Sequence, residues 1–155
     1  VYFTQEVKVI PRIEDQLTVL RKQDFNPLQT SIMEKEVGVV KYNPNSQENI
    51  SFWSPDKIEI KVNTPTDQFL ILSEIYYPEG WEITSHPQWK IHPVNTILRG
   101  IYVPAGEHEI RMEFAPDDIR YGTFLTWGST AILIIFIMAG MIIKQKVNES
   151  PAETI

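Results

Sequence analysis

The side chains with most chemistry to offer are three histidines, the acids of one strand, and a group of aromatic rings near the middle of the 155-residue chain. His86, His92 and His108 fall on three separate strands or turns, and their spacing is none of the short-range patterns that hold zinc, so no metal is expected. Glu107, Glu109 and Glu113 alternate with His108, Ile110 and Met112. A period of two puts the acids together with Arg111 on one solvated face, not in a catalytic pair. There is no cysteine, no nucleophile–base pairing and no glycine-rich phosphate loop, so neither a catalytic residue nor a cofactor is expected in this segment. The aromatic group is different. Tyr76, Tyr77, Trp81 and Trp89 crowd what reads as one hairpin, with Arg99 on a neighbouring strand. Aromatic faces stack on the C–H surface of a sugar and a guanidinium bonds its hydroxyls, which points to a glycan or partner contact. The same rings would serve as the core of the hairpin.

The elements that must position these rings are mostly strands. Glu6–Ile10 alternates polar and apolar. Pro11 then opens a helix running to about Lys22, with Ile13, Leu17 and Leu20 on one face and Glu14 and Asp15 in its first turn. Further strands are expected at 31–40, at 57–62, and at 68–77, whose run FLILSEIYY should be central and covered on both faces. His86-Pro87 reads as a hairpin tip between a strand from Trp81 and a return strand holding Trp89 and Ile91. Pro104-Ala105-Gly106 reads as the turn of a second hairpin between 96–103 and 107–114. The expected fold is mainly β: an antiparallel β-sandwich over residues 1–118 with one short N-terminal helix.

A single transmembrane helix follows, over 119–146 with its flanks. From Gly122 to Ile143 there is no charged side chain for 22 residues. At about 1.5 Å per residue this is roughly 33 Å of helix, against a hydrocarbon core of about 30 Å. A buried helix of a soluble core would show a polar stripe, and none is present. The lipid bilayer is thus a partner. Gly122, Thr126 and Thr130 recur every four residues and form a small-residue face suited to packing on other transmembrane helices. Tyr121 and Trp127 near the outer end suit an interfacial belt, although Trp127 is a little deep for it. Lys144 and Lys146 after the span outweigh Arg120 before it, which places residues 147–155 as a disordered cytoplasmic tail and the β-domain outside the cytoplasm. Residues 1–121 carry 12 Lys+Arg against 18 Asp+Glu. That balance excludes nucleic acid as a partner and predicts repulsion from anionic headgroups.

Leu72–Ile83 (LSEIYYPEGWEI), followed by Asn95–Asp118 and then a span, resembles the C-terminal end of the bacterial YfhO-type membrane proteins. The resemblance is carried by Tyr76-Tyr77-Pro78 with Gly80-Trp81, by Leu98-Arg99-Gly100, by Val103-Pro104-Ala105-Gly106 with His108, and by Phe114 with Pro116; Asp15–Glu36 resembles the segment preceding the same domain. It departs at Glu79, inserted between Pro and Gly-Trp, and at Ser85–Gln88, which replaces an Asp-Gly turn. The resemblance implies a polytopic protein of the bacterial cytoplasmic membrane, similar to GT-C glycosyltransferases, that moves sugar from a polyprenyl-phosphate carrier to an envelope polymer. The carboxylate such a fold uses would lie in an early loop, so this segment would be non-catalytic: a lid or acceptor platform. Val1 would then be an internal position, in keeping with an N-terminus (VYFTQEVKVI) that lacks the pattern of an export signal.

Two other readings stand beside it. One is a single-pass accessory subunit whose β-domain caps or joins its neighbours in a larger membrane complex. The other is a tethered glycan-binding module. Reading frame upstream of Val1 separates the first from the rest, and the last expects envelope polysaccharide to bind in a way that depends on Trp81 or Trp89.

Overall fold

The computed structural model describes residues 1–38, 40–77 and 79–149. It divides into two units, Val1–Ala115 and 116–155. Apolar alternation builds the first. β5 (Lys57–Thr64) buries Ile58, Ile60 and Val62 and turns Glu59 and Lys61 the other way; β10 (Gly106–Phe114) buries Ile110 and Met112 and exposes Glu107, Glu109, Arg111 and Glu113. The two pair antiparallel with Ile110 opposite Ile60 and Met112 opposite Ile58. β4 (Gln47–Trp53) flanks β5 and β7 (Trp81–Ile83) flanks β10, giving a sheet of order β4-β5-β10-β7.

The second sheet runs β1-β6-β9-β8, with β1 at Tyr2–Phe3, β6 at Gln68–Ile75, β9 at Leu98–Val103 and β8 at Ile91–Val94. Leu70 and Leu72 of β6 with Ile101 and Val103 of β9 join Ile58, Ile60, Val62, Ile83, Ile110 and Met112 in one core cluster between the sheets. This is an antiparallel β-sandwich, as the alternation predicts. β6 is covered on both sides: Phe69 and Ile71, on its other face, pack with Met33 and Val94. The cover comes from the N-terminal segment, where β2 (Glu6–Val9), α1 (Ile13–Leu20) and β3 (Thr30–Met33) form a small unit with β2 and β3 parallel. A parallel pair needs a crossover connection, and the segment holding α1 supplies it.

Several expectations are corrected. Residues 81–91 do not form a hairpin: β7 pairs with β10 and β8 with β9, so the segment through His86-Pro87 crosses from one sheet to the other. Pro104-Ala105-Gly106 likewise joins β9 to β10 across the sandwich. Turn composition marks a change of direction and carries no information on which sheet the next strand joins. The strand expected at 31–40 stops at Met33, because Glu34-Lys35-Glu36 offers no apolar face and Gly38 adopts φ +117°. β4, between the strands expected at 31–40 and 57–62, has no counterpart among the expected strands; its first residues, Gln47-Glu48-Asn49, are all polar and carry no alternation. In α1 the Ile13/Leu17 stripe faces solvent. Gln16 is buried instead, its Nε2 donating to the Ile10 carbonyl at 2.7 Å, and a helix of eight residues follows that anchor more than its own apolar face.

The second unit is one helix, α2 (Asp117–Glu149). It begins two residues earlier than the expected span boundary and carries residues 147–149, the start of the expected tail, in helical form; residues 150–155 lie outside the described residues. Tyr121–Lys144 is long and apolar enough to cross a membrane.

Gly100 sits where β9 passes beneath the outer core, and a Cβ there would collide with Val94 Cγ2 and Phe69 Cε1. Gly100→Ala should cost about 1–3 kcal/mol by overpacking, read as a fall in the thermal midpoint of the full chain in detergent. An unchanged midpoint would contradict the packing.

Candidate functional site

β7 and β8 are the outer strands of the two facing sheets and run next to each other. Between them the sandwich opens into a cleft of about 670 Å³. Tyr76 and Tyr77, just past β6, line it with Trp81 at the start of β7 and with Trp89 on the crossing segment before β8. All four aromatic residues singled out from the sequence therefore meet at one concave surface. Pro78 of the same motif lies outside the described residues. Glu82, Thr84 and Lys90 add a carboxylate, a hydroxyl and an ammonium to the wall.

The cross-strand pairing explains why Trp81 stands where it does. Phe114 pairs with Trp81 at the end of β10, and its ring lies 5.6 Å from the indole and 5.9 Å from the ring of Tyr77. Gly80 allows this: a Cβ there would run into both the Phe114 and Tyr77 rings. Arg99 does not line the cleft. It is buried beneath it, with its guanidinium carbon 4.2 Å from the Trp81 ring centre and Nε donating to the Ile75 carbonyl at 2.9 Å. No described residue accepts a hydrogen bond from Nη1. Burial pushes the guanidinium pKa down, against a smaller opposite effect of Glu74. Its partner is an aromatic face, an attraction of about 2 kcal/mol when desolvated. Trp81 is thus partly a core residue, while Tyr77, half exposed, and Tyr76 and Trp89, partly buried, are freer to meet a ligand.

Trp89 is held from behind. His86 stacks on it at 4.1 Å, and His108 meets both rings edge-on at 5.1 and 5.7 Å. Arg111 N–H donates to Ser85 Oγ at 2.9 Å, and Ser85 Oγ lies 2.8 Å from His86 Nδ1, so the hydroxyl proton is free to point at a neutral imidazole. His108 Nε2 donates to the Pro104 carbonyl at 3.1 Å. The third histidine, His92, packs instead beside Phe69. Among the described residues no group of three or more His, Asp or Glu is placed to share a metal ion. The two-histidine brace was not legible in the sequence, because it depends on the crossing segment folding back over β10.

On α2, Gly122, Thr126 and Thr130 do share a face. The Thr126 hydroxyl donates to the Gly122 carbonyl and the Thr130 hydroxyl to the Thr126 carbonyl, both at 2.8 Å. Packing there would rest on small side chains, since the hydroxyls already bond their own helix. Comparison with protein-family models, curated proteins and solved structures finds no match to this chain.

Burial, and then the charge of His108, hold the His86 pKa below the ordinary histidine value. A base so depressed binds fewer protons folded than unfolded. Its stabilising contribution is present above about pH 6.5 and is lost as the pH falls through that value towards the lower folded one. Thermal melts should show a midpoint falling between pH 7 and 5, and falling less in His86→Phe. An identical pH profile in the variant would contradict the assignment.

Proposed function

We propose that this chain is a non-catalytic, membrane-tethered binding module whose β-sandwich offers a glycan platform. In this reading it is the C-terminal β-domain and last transmembrane helix of a YfhO-like polytopic protein of the bacterial cytoplasmic membrane. The sandwich stands outside the cytoplasm, as a lid or acceptor platform for sugar passing from a polyprenyl-phosphate carrier to an envelope polymer. The observation that carries the proposal is the convergence of Tyr76, Tyr77, Trp81 and Trp89 on one open cleft whose wall also holds Glu82, Thr84 and Lys90. Rings on a concave surface with a few hydrogen-bonding groups among them match the amphipathic surface of a sugar, whose C–H faces are apolar and whose edge is hydroxyl. The family resemblance supports the membrane and carrier parts, and the Lys144/Lys146 pair supports the orientation. The alternative, a single-pass accessory subunit, is favoured by the small-residue face at Gly122, Thr126 and Thr130, and predicts co-purification of a stable complex.

The test is titration of the full chain in detergent micelles with oligosaccharides cut from envelope polysaccharide, followed by tryptophan fluorescence. Tyr77→Ala and Trp89→Ala should each weaken binding about three- to tenfold, the equivalent of losing one stacked ring. Because Trp89 is braced by two histidines, Tyr77→Ala is the cleaner variant. Binding that is absent, or unchanged in Tyr77→Ala, would overturn the proposal.

A further inference from the structure

One end of the sandwich gathers several large exposed apolar side chains; others, such as Ile13, Leu17 and Leu28, lie on the N-terminal segment. β10 stops at this end of the sandwich with Phe114, whose N–H bonds the Asp56 carbonyl in the β4–β5 turn, and Ala115 N–H bonds the Gly80 carbonyl. The antiparallel registers bring the end of β4, the end of β6 and the β8–β9 turn to this same end. Each contributes a large apolar side chain that the core does not take up: Trp53 is 59% exposed, Ile75 70% and Ile97 59%. Phe52 and Tyr77, 47% and 52% exposed, extend the rim. The opposite end, around Asn63, Asp67 and Glu107, is polar.

We infer that this apolar rim inserts into the headgroup layer of the bilayer that α2 crosses. The occupant follows from chain connectivity. Only Ala115 and Pro116 separate β10 from α2, and the apolar stretch begins at Tyr121. Three extended steps and four helical residues hold the Phe114 and Tyr121 Cα atoms within about 17 Å, whatever path the chain takes. The rim is therefore tied within reach of the interface, where tryptophan and tyrosine are favoured because their rings are part apolar and part polar. Electrostatics select the kind of lipid. Asp56, Glu79 and Glu113 stand at this end with Lys57, which is already paired to Glu59 at 2.9 Å. Insertion is thus driven by apolar area, and zwitterionic lipid suffices. The negative charge predicts repulsion from anionic headgroups, felt within a Debye length of about 10 Å, so the contact is expected to be stronger on zwitterionic than on anionic lipid. The inference rests on α2 crossing the membrane; Tyr77 is shared with the cleft, and Trp53, Ile75 and Ile97, which do not line the cleft, carry the test.

Because the chain has no cysteine, single labels report cleanly. Trp53→Cys, Ile75→Cys, Ile97→Cys, Glu107→Cys and Ile135→Cys, each spin-labelled in the full chain in phosphatidylcholine nanodiscs, are compared for collision with oxygen and with a water-soluble nickel complex. The expected result is an oxygen-to-nickel ratio several-fold higher at 53, 75 and 97 than at 107, with 135 higher still. Labels at 53, 75 and 97 as open to nickel as 107, while 135 stays in lipid, would overturn the rim contact alone. Labels shielded from both reagents would mean that protein covers the rim, overturning it in favour of a partner or second copy. An aqueous label at 135 would overturn the anchor as well.

Discussion

A slip of β10 by one residue would carry Glu109 and Arg111 into the space between the sheets and leave Ile110 and Met112 in water. That cost fixes the register against β5, where Ile110 faces Ile60 and both are excluded from solvent. The same alternation puts Met112 and Phe114 on the inner face. β7 pairs with the other edge of β10, Ile83 opposite Met112 and Trp81 opposite Phe114, and the Phe114 ring lies against both Trp81 and Tyr77. The same register presents the Arg111 amide to Ser85, which fixes the turn that returns Trp89 to the cleft. A few buried aliphatic side chains in one strand thus position aromatic groups from three separate segments.

The buried guanidinium of Arg99 shows how polar groups were accommodated at that end. A salt bridge there would have required a buried carboxylate as well. The structure instead uses the Trp81 face and one backbone carbonyl. This keeps Trp81 in place from below without drawing on the groups that line the cleft. It also accounts for the different expected behaviour of the rings: Trp81 shares in holding the fold, whereas Tyr77 is half exposed and lies against the Phe114 ring.

The central strands were legible because burial on one or both faces writes itself into alternation: β5, β6 and β10 lie where Ile58-Ile60-Val62, FLILSEI and Ile110-Met112 place them. The long apolar helix was legible from its lack of charge. The sheet partners were not. Pro-Ala-Gly and His-Pro segments bend the chain equally well into a hairpin or across a sandwich, and only long-range packing decides between them. Tyr76, Tyr77, Trp81 and Trp89 could be grouped from composition, yet their common cleft arises because β7 and β8 belong to different sheets, the reverse of the hairpin that their closeness in sequence suggests. Gln16 in place of Leu17 on the buried side of α1 had no sequence signal, since it depends on the Ile10 carbonyl.

The proposed meeting of the cleft rings with the face of a sugar can be read by saturation-transfer difference NMR on the full chain in nanodiscs with an envelope oligosaccharide. Strongest transfer is expected to the ring C–H protons on one face of a single residue, with that pattern lost in Tyr77→Ala. Uniform weak transfer along the oligosaccharide, or a pattern that survives the substitution, would contradict it.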